Sequence, residues 1–596
     1  MNAIRVLALS AIAAAPVAAQ TAVTPPAPVP SVPRPKLQGE MGSEGELYRM
    51  DGRDPRRPGE SGRVFFNPTL SLGPVTVTGN FLLSTEGSSL IGLGQLPGRQ
   101  RINQFGLTPQ WGWGKAYVGS FNDTWSPLTW GGVRVDGVGI DLSPGAFRFG
   151  MFGGSSRQAV FGGATSGSFA RSIAGARIGA GRRAEFGGSS RFIDVIVLRV
   201  RDDPSSLPPL SDSTPVPYLP DSLATAPDTA LLPVVPINPY SVTPQENAVV
   251  ATAAGLSVMG GAVTWTGELA GSMHSRDLRA SELTPEQVGE MPKLLRGLVT
   301  PRLGTHADLA WRSQVDIRVA RLPGATSASP RTLSLSVGYQ YTGAGYVSLG
   351  TPWLPNDLAG VDLKAALRFR LWSLQLDGFT QHDNLLGQKL ATTDRSRVGV
   401  AFTVQPVRGW QSALRANLVG MVRDIPDTLG AVDYQARMLS TTQSWIPSKA
   451  GRFRSISGSY TWQSTGDDNA LRAAGALVSH TADVRFGLAL GATATITPTV
   501  GVTNARVGDA EATTRATYGL AGDWRDPGRR WATSASLNQS QVGRTMATGS
   551  RFSLRYDLTR ADAVTIVLRT NRYRNLVDPG QDFSERALNL RWGRRF

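Results

Sequence analysis

From about residue 62 onward the chain repeats one pattern. Segments of roughly ten residues alternate apolar and polar side chains and are separated by Gly, Asp, Asn and Pro. A period of two sends successive side chains to opposite faces of a β-sheet. In DLKAALRFRLW, Leu363, Ala365, Leu367, Phe369 and Leu371 share one face; Lys364, Ala366, Arg368 and Arg370 share the other. RFSLRYDL sets Phe552, Leu554, Tyr556 and Leu558 against Arg551, Ser553, Arg555 and Asp557. ISGSYTW does the same with Ile456, Gly458, Tyr460 and Trp462.

A soluble sandwich also alternates, so other features must decide. The segments run about 10–13 residues, longer than the usual soluble strand of about 5–6. Their polar face mixes Arg and Asp with Ser, Thr and Gly, as a wet lumen requires. Aromatics recur near segment ends, at Trp372, Trp410, Trp445, Trp524 and Trp531, where an interfacial girdle sits. The expected fold is therefore all-β: one large transmembrane antiparallel barrel over 62–596, of about 24 strands (range about 22–26). Its first strand starts near Arg63 and is the expected partner of the closing strand.

Loop lengths test that count. From the fourth expected strand onward, connections after even strands are mostly tight, as at Ser143-Pro144. Those after odd strands are mostly long: 202–246, 274–304, 343–358, 383–394 and 574–584, with few exceptions. This is the pattern of short periplasmic turns and long outer loops. Segment 86–110 breaks the phase. Either the first hairpin is miscounted or a Gly-rich insert enters from the periplasmic side. Loop 202–246 is rich in proline and reads as disordered unless a partner orders it. In loop 274–304, Thr284, Pro285 and Gln287 have the spacing of a helix start with a capping box. They predict a short helix, lying either over or inside the lumen or on the surface with no gating role.

The first 20 residues read as a secretory signal, with Arg5 before a short apolar stretch and Val17-Ala18-Ala19 before the cut. Residues 21–61 read as a Pro-rich, then charged, periplasmic tail. The chain has no Cys and a net charge of +16, mostly from arginine. Either a genome favouring Arg codons or an anionic counterpart explains that excess. In an exported protein the counterpart is not nucleic acid; lipopolysaccharide, an anionic solute or a protein partner remain.

Catalytic chemistry is sparse. His274, His306, His382 and His480 are far apart in sequence and show no metal spacing. His382-Asp383 lies at an outer strand end, but neighbours in a strand point to opposite faces. No enzyme activity, metal or cofactor is expected. With the apolar row toward lipid, Lys364, Arg368, Arg370, Arg485, Arg551, Arg555, Arg569, Arg591 and Arg595 face inward, together with Asp308, Asp316 and Asp557. Inward arginines favour anions in a pore; alternatively they pair with Asp as a ladder filling a closed lumen.

The chain ends RALNLRWGRRF. Leu588, Leu590, Trp592 and Phe596 resemble the closing-strand signal of outer-membrane barrels that the barrel assembly machinery reads. Arg594, where an apolar residue is usual, departs from that pattern and belongs at a membrane interface, where its head reaches the lipid head groups. RINQFGLTPQWGWGKAYVG, GYQYTGAGYVSLGTPWLPNDLAG and HDNLLGQKLATTDRSRVGVAF resemble a family of large outer-membrane barrels of Bacteroidota-type bacteria, which implies fold and location but no activity. TonB-dependent receptors carry a plug domain for which 21–61 is too short. The expected role is a channel or translocation pore for solutes or a polypeptide, anion-preferring and gated by the outer loops. The alternative is a non-conducting barrel that anchors a surface or envelope assembly through a periplasmic or surface protein partner.

Overall fold

The computed structural model describes residues 35–85, 103–160, 167–183, 190–207, 242–284, 286–288, 293–319, 331–425, 430–447, 451–469 and 472–596. The expected signal peptide, the tail up to residue 34 and most of loop 202–246 lie outside these residues.

The wall begins with β1 (Lys36–Asp51), β2 (Glu60–Leu72), β3 (Val75–Ser84), β4 (Gln104–Trp111), β5 (Gly114–Phe121) and β6 (Val135–Leu142). It continues through β7 (Phe147–Arg157), β8 (Arg171–Arg182), β9 (Arg191–Asp202), β10 (Glu246–Val258), β11 (Val263–Ser275) and β12 (Thr305–Val319). Next come β13 (Thr332–Thr342), β14 (Leu358–Arg368), β15 (Trp372–His382), β16 (Thr393–Val404), β17 (Trp410–Arg423), β18 (Val432–Trp445) and β19 (Phe453–Asp467). The last are β20 (Leu477–Ala489), β21 (Ala494–Val507), β22 (Thr513–Arg525), β23 (Trp531–Val542), β24 (Thr545–Asp557), β25 (Asp562–Asn575) and β26 (Phe583–Arg595). Each strand pairs antiparallel with its sequence neighbours, and β26 closes on β1 from Glu40↔Arg595 to Asp51↔Ser584. A closed sheet leaves no unpaired edge for lipid.

Two strands were missed by the alternation. The closing partner is β1, not the strand near Arg63, which belongs to β2; the barrel thus starts inside the segment expected to be a tail. β1 reads KLQGEMGSEGELYRMD, with glycine and serine on its lipid row and Glu40, Glu44 and Glu46 on its other row, so it resembles a charged linker. β4 reads QFGLTPQW, and Pro109 within it disguises a strand. Adding β1 places segment 85–103 after an odd strand, on the same rim as the other long loops. The broken phase came from a miscounted first hairpin.

Paired residues share a face, so the pairing ladder assigns each side chain to inside or outside. The outward row is exposed and apolar: Leu47, Val64, Phe105, Val138, Ile178, Leu269, Leu363 and Leu590 are among it. Trp372, Trp410, Trp445, Trp524 and Trp531 all face outward beside short turns, with Trp410 directly opposite Trp445. They form a girdle at the short-turn rim. Arg594 is also outward at that rim, facing Asp562 across the ladder at 3.8 Å. Phe596 exchanges backbone hydrogen bonds with Gly39 (3.0 and 3.1 Å) and stacks on Phe66, ring centroids 5.8 Å apart.

The helix of loop 274–304 is a single turn, α1 (Lys293–Arg296). Upstream of it, the Thr284 amide donates to Gln287 Oε1 at 2.9 Å, one half of the expected capping box. Leu295 and Val299 pack on Ala248 and Met273, which belong to the outward row. The segment therefore drapes over the outside of the wall near the long-loop rim, not over or inside the lumen.

Candidate functional site: a lumen clasped on one side

With strands about 4.8 Å apart and tilted about 40°, a round barrel of 26 strands has a backbone diameter on the order of 50 Å. Wall side chains alone do not fill such a space, so what folds inward decides what the lumen does. Among the described residues, two long-rim loops fold in: 122–134 after β5 and 343–357 after β13. Trp125, Leu128 and Trp130 of the first meet Tyr346 and Leu349 of the second in one buried core. That core also takes Tyr117, Phe121, Phe152, Ile173, Ile196, Leu198 and Val249 from the inner wall. Trp130 and Leu128 are completely buried. The Trp130 ring lies 4.0 Å from Phe152 and 5.4 Å from Trp125, centroid to centroid.

Polar contacts then lock the two loops to each other. Tyr346 hydroxyl donates to the Leu128 carbonyl at 2.7 Å, and Ser348 hydroxyl to the Thr129 carbonyl at 2.6 Å. Asn247 of β10 bonds both the Val347 carbonyl (2.8 Å) and the Leu349 amide (3.0 Å). The Gly345 amide donates to Asp308 at 2.8 Å, and Ser126 hydroxyl donates to the buried Glu268. The glycines here make room: a Cβ on Gly350 would meet the Thr129 carbonyl oxygen at 2.4 Å, and one on Gly175 would meet the Phe152 ring at 2.5 Å. Burial and the nearby Glu268 carboxylate push the Tyr346 hydroxyl well above its ordinary pKa, so it remains a donor. At the end of the second loop, burial works to raise the Asp357 carboxyl. Lys389 (2.5 Å) and the amides of Leu385 and Asn384 outweigh it and hold Asp357 below the usual carboxylate range.

A ladder of ion pairs underlies this side. Arg177 meets Asp141 at 2.5 Å, Arg171 meets Asp202 at 2.6 Å, and Arg148 meets Asp194 at 2.9 Å. The last pair is close without the alignment of a hydrogen bond. Arg177 lies over the Trp125 ring at 5.2 Å and Arg183 donates to the Trp125 carbonyl, so the ladder also holds the first loop. None of these arginines was singled out by sequence. Their wall is rich in small and apolar residues on both faces, which hides the alternation.

The opposite wall differs. Arg551 and Arg569 are register partners, so two like charges stand directly across one ladder. Arg555 and Arg591 flank Thr565 on the same face. All four line a cavity of about 960 Å³ that opens at the short-turn rim. Nine arginines line it against four carboxylates. Three of those carboxylates are engaged: Glu44 by Arg63 at 2.5 Å, Asp557 by Arg555 at 2.8 Å, and Asp562 by Arg594 at 3.8 Å. Arg591 lies over the Phe65 ring at 5.3 Å. Among the described residues, Arg551 and Arg569 have no carboxylate within ion-pair distance.

The other expected inward cations are scattered. Lys364 faces Asp377 and Ser336, and Arg368 faces Thr332 and Ser373. Arg485 lies 3.5 Å from Asp483. Arg370 is in the short turn after β14, outside any strand. Arg595 lines the arginine cavity. Leu588, Leu590 and Trp592 lie on the outward row of β26, against Leu568, Ile566 and Val564. The histidines are not all far apart: His274 and His306 are register partners, and buried His274 leaves Nε2 without a hydrogen-bond partner. No set of three potential metal ligands gathers among the described residues. His382 takes the outward row, while Asp383 accepts from the Thr393 amide at 2.6 Å and from Lys389 at 3.1 Å.

Closed pairing, the outward apolar band and the tryptophan girdle define a transmembrane β-barrel of the outer-membrane type. No family model matches the chain, and no curated protein matches it. Among solved structures, the P pilus usher translocation pore is similar at a TM-score of 0.34 and 10% identity, over 94% of this chain and 99% of that one. The alcaligin outer-membrane receptor FauA of Bordetella pertussis is similar at 0.36 and 7%, over 94% and 76%. The anion-selective porin of Comamonas acidovorans is similar at 0.24 and 10%, over 48% and 93%. The barrel assignment stands on the strand pairing, not on these likenesses.

Proposed function

We propose that this barrel is an outer-membrane passage whose path runs along the arginine wall of β24 to β26 and β1, opposite the clasped side, and prefers anions. The carrying observation is charge left over: on the clasped side Arg148, Arg171 and Arg177 each have a carboxylate, whereas Arg551 and Arg569 have none. Uncompensated inward cations raise the local anion concentration. Because the clasp is a packed core, the 122–134 and 343–357 loops narrow the lumen as fixed walls. Cargo is a small anionic solute or an extended chain bearing negative charge.

Planar bilayers test this. The purified full chain is expected to conduct, with a reversal potential on the anion side. R551E combined with R569E should move it toward cations; an unmoved reversal potential in a conducting barrel would sink the anion preference. A silent barrel would sink passage and favour the anchoring role, which the packed core inside the lumen supports.

The outward row Leu588, Leu590, Trp592 and Phe596 serves as the assembly signal in this reading, with lipid and lipopolysaccharide as the surrounding partners. Deleting Phe596 removes its two bonds to Gly39 and its stack on Phe66. The heat-modifiable, folded fraction in the membrane is expected to fall several-fold. Normal insertion would argue against the signal.

A further inference from the structure

Directly opposed like charges destabilise a strand pair by up to about 1 kcal/mol relative to neutral partners. Other lumen cations avoid this: Lys364 stands opposite Asp377, and Arg63 opposite Glu44. Arg551 and Arg569 break the rule, and Arg591 adds a third guanidinium to the same cavity. Polar neighbours there, Ser553, Thr565 and Asn589, bring no further negative charge. Of the four cavity carboxylates, Glu44 is taken by Arg63 and also faces Arg591, Asp557 is taken by Arg555, Asp562 lies beside Arg594, and Glu40 stands opposite Arg595 in the ladder; none is the register partner of Arg551 or Arg569. An oxyanion with two or more charged oxygens completes the arrangement. Guanidinium forks meet such groups bidentately, and two forks projecting side by side from adjacent strands can share the several oxygens of a tetrahedral group better than those of a planar monocarboxylate.

We infer that Arg551 and Arg569, assisted by Arg591, form a binding site for a phosphate-class oxyanion at mid-height of the lumen wall, at the inner end of the cavity that opens at the short-turn rim. This rests on the anion-passage reading and names its solute class. The pairing ladder puts all three side chains on the inner face, so the ligand is a solute in the lumen and not a phosphate of the surrounding lipid. Arg551 contacts the anion from β24 and Arg569 from β25. The cavity of about 960 Å³ leaves room for a substituent larger than the phosphate itself. Binding is fully reversible: no bond is made or broken, and the site is occupied in transit.

Isothermal titration of the detergent-purified full chain with inorganic phosphate and with pyrophosphate tests the site. Saturable binding is expected, tighter for pyrophosphate and weakened by salt. R551Q combined with R569Q should weaken it at least tenfold, with the folded state checked by heat-modifiable mobility. R551K combined with R569K keeps the charge but loses the forks, and should fall between the two. No saturable binding, equal binding by the glutamine variant, or wild-type binding by the lysine variant would each overturn the site. Bilayer recordings on the same samples separate this from passage. Phosphate binding in a silent barrel keeps the site and removes the channel; anion-preferring conductance without phosphate binding does the reverse. Lipid vesicles bearing phosphatidic acid added to the titration should not compete; competition would assign the phosphate to lipid and overturn a lumenal site.

Discussion

Trp130→Ala is expected to release the clasp and enlarge the single-channel conductance. The indole is wholly buried, against Phe152 at 4.0 Å and Phe121 at 6.2 Å between ring centroids. Truncating a buried Trp to Ala costs about 3–5 kcal/mol. Much of that falls on loop docking, because the strands on either side keep their ladders in full. At about 1.4 kcal/mol per decade, the undocked population rises by roughly two to three orders of magnitude. Two readouts follow: proteolysis within 122–134 by protease added on the long-loop side, and conductance steps larger or noisier than wild type. An unchanged step size with an intact loop would show that the clasp does not bound the path. Tyr346→Phe removes only the hydroxyl bond to the Leu128 carbonyl, so a smaller effect in the same direction is expected, about 1 kcal/mol.

Much of this barrel was legible from alternation because lipid imposes a strict rule. The outward rows of β14, β24 and β26 carry apolar runs, so Leu363, Phe552 and Leu590 announce their strands. The rule weakens where glycine and serine interrupt the outward row, as Gly39, Ser43 and Gly45 do between Leu37, Met41 and Leu47 of β1. Its glutamates, which look like a linker in sequence, are lumen residues. Loop length carried information of its own: the broken phase at 86–110 pointed to either a miscounted hairpin or an insert, and β1 and β4 show it to be a miscount.

The clasp was not legible. Its members, Trp125, Trp130 and Tyr346, are ordinary loop aromatics in sequence. They gain their role only when a closed wall brings strands far apart in sequence around one space. No period links 122–134 to 343–357; closure does. The charges behave similarly. An inward arginine can be read from parity, as for Arg551. Whether it has a partner depends on which residue the register sets opposite, Arg569 here but Asp377 for Lys364. The two readings of the lumen attach to different walls: the Arg–Asp ladder stands on the clasped side, and the proposed anion path follows the wall of Arg551 and Arg569.

Asp194→Ala tests the ladder. Asp194 is fully buried and Arg148, 6% exposed at its side chain, lies 2.9 Å away with the Phe192 ring at 5.3 Å on its other side. Removing the carboxylate strands a guanidinium among Arg177 and Arg183, which add repulsion. Breaking a buried pair this way costs about 3–5 kcal/mol, whereas replacing both members with apolar residues is often near neutral. The double variant D194A/R148L is therefore expected to be more stable than D194A alone. Large membrane barrels unfold irreversibly, so the measure is the unfolding rate in detergent on heating, read by gel mobility. Asp194→Ala should unfold markedly faster than wild type, and the double variant should recover most of the loss. If the single variant unfolds at the wild-type rate, water reaches Arg148 freely and this side of the lumen is wetter than its packing indicates. If the double variant is as fast as the single one, Arg148 matters for itself, through its packing over Phe192, and not only as the partner of Asp194.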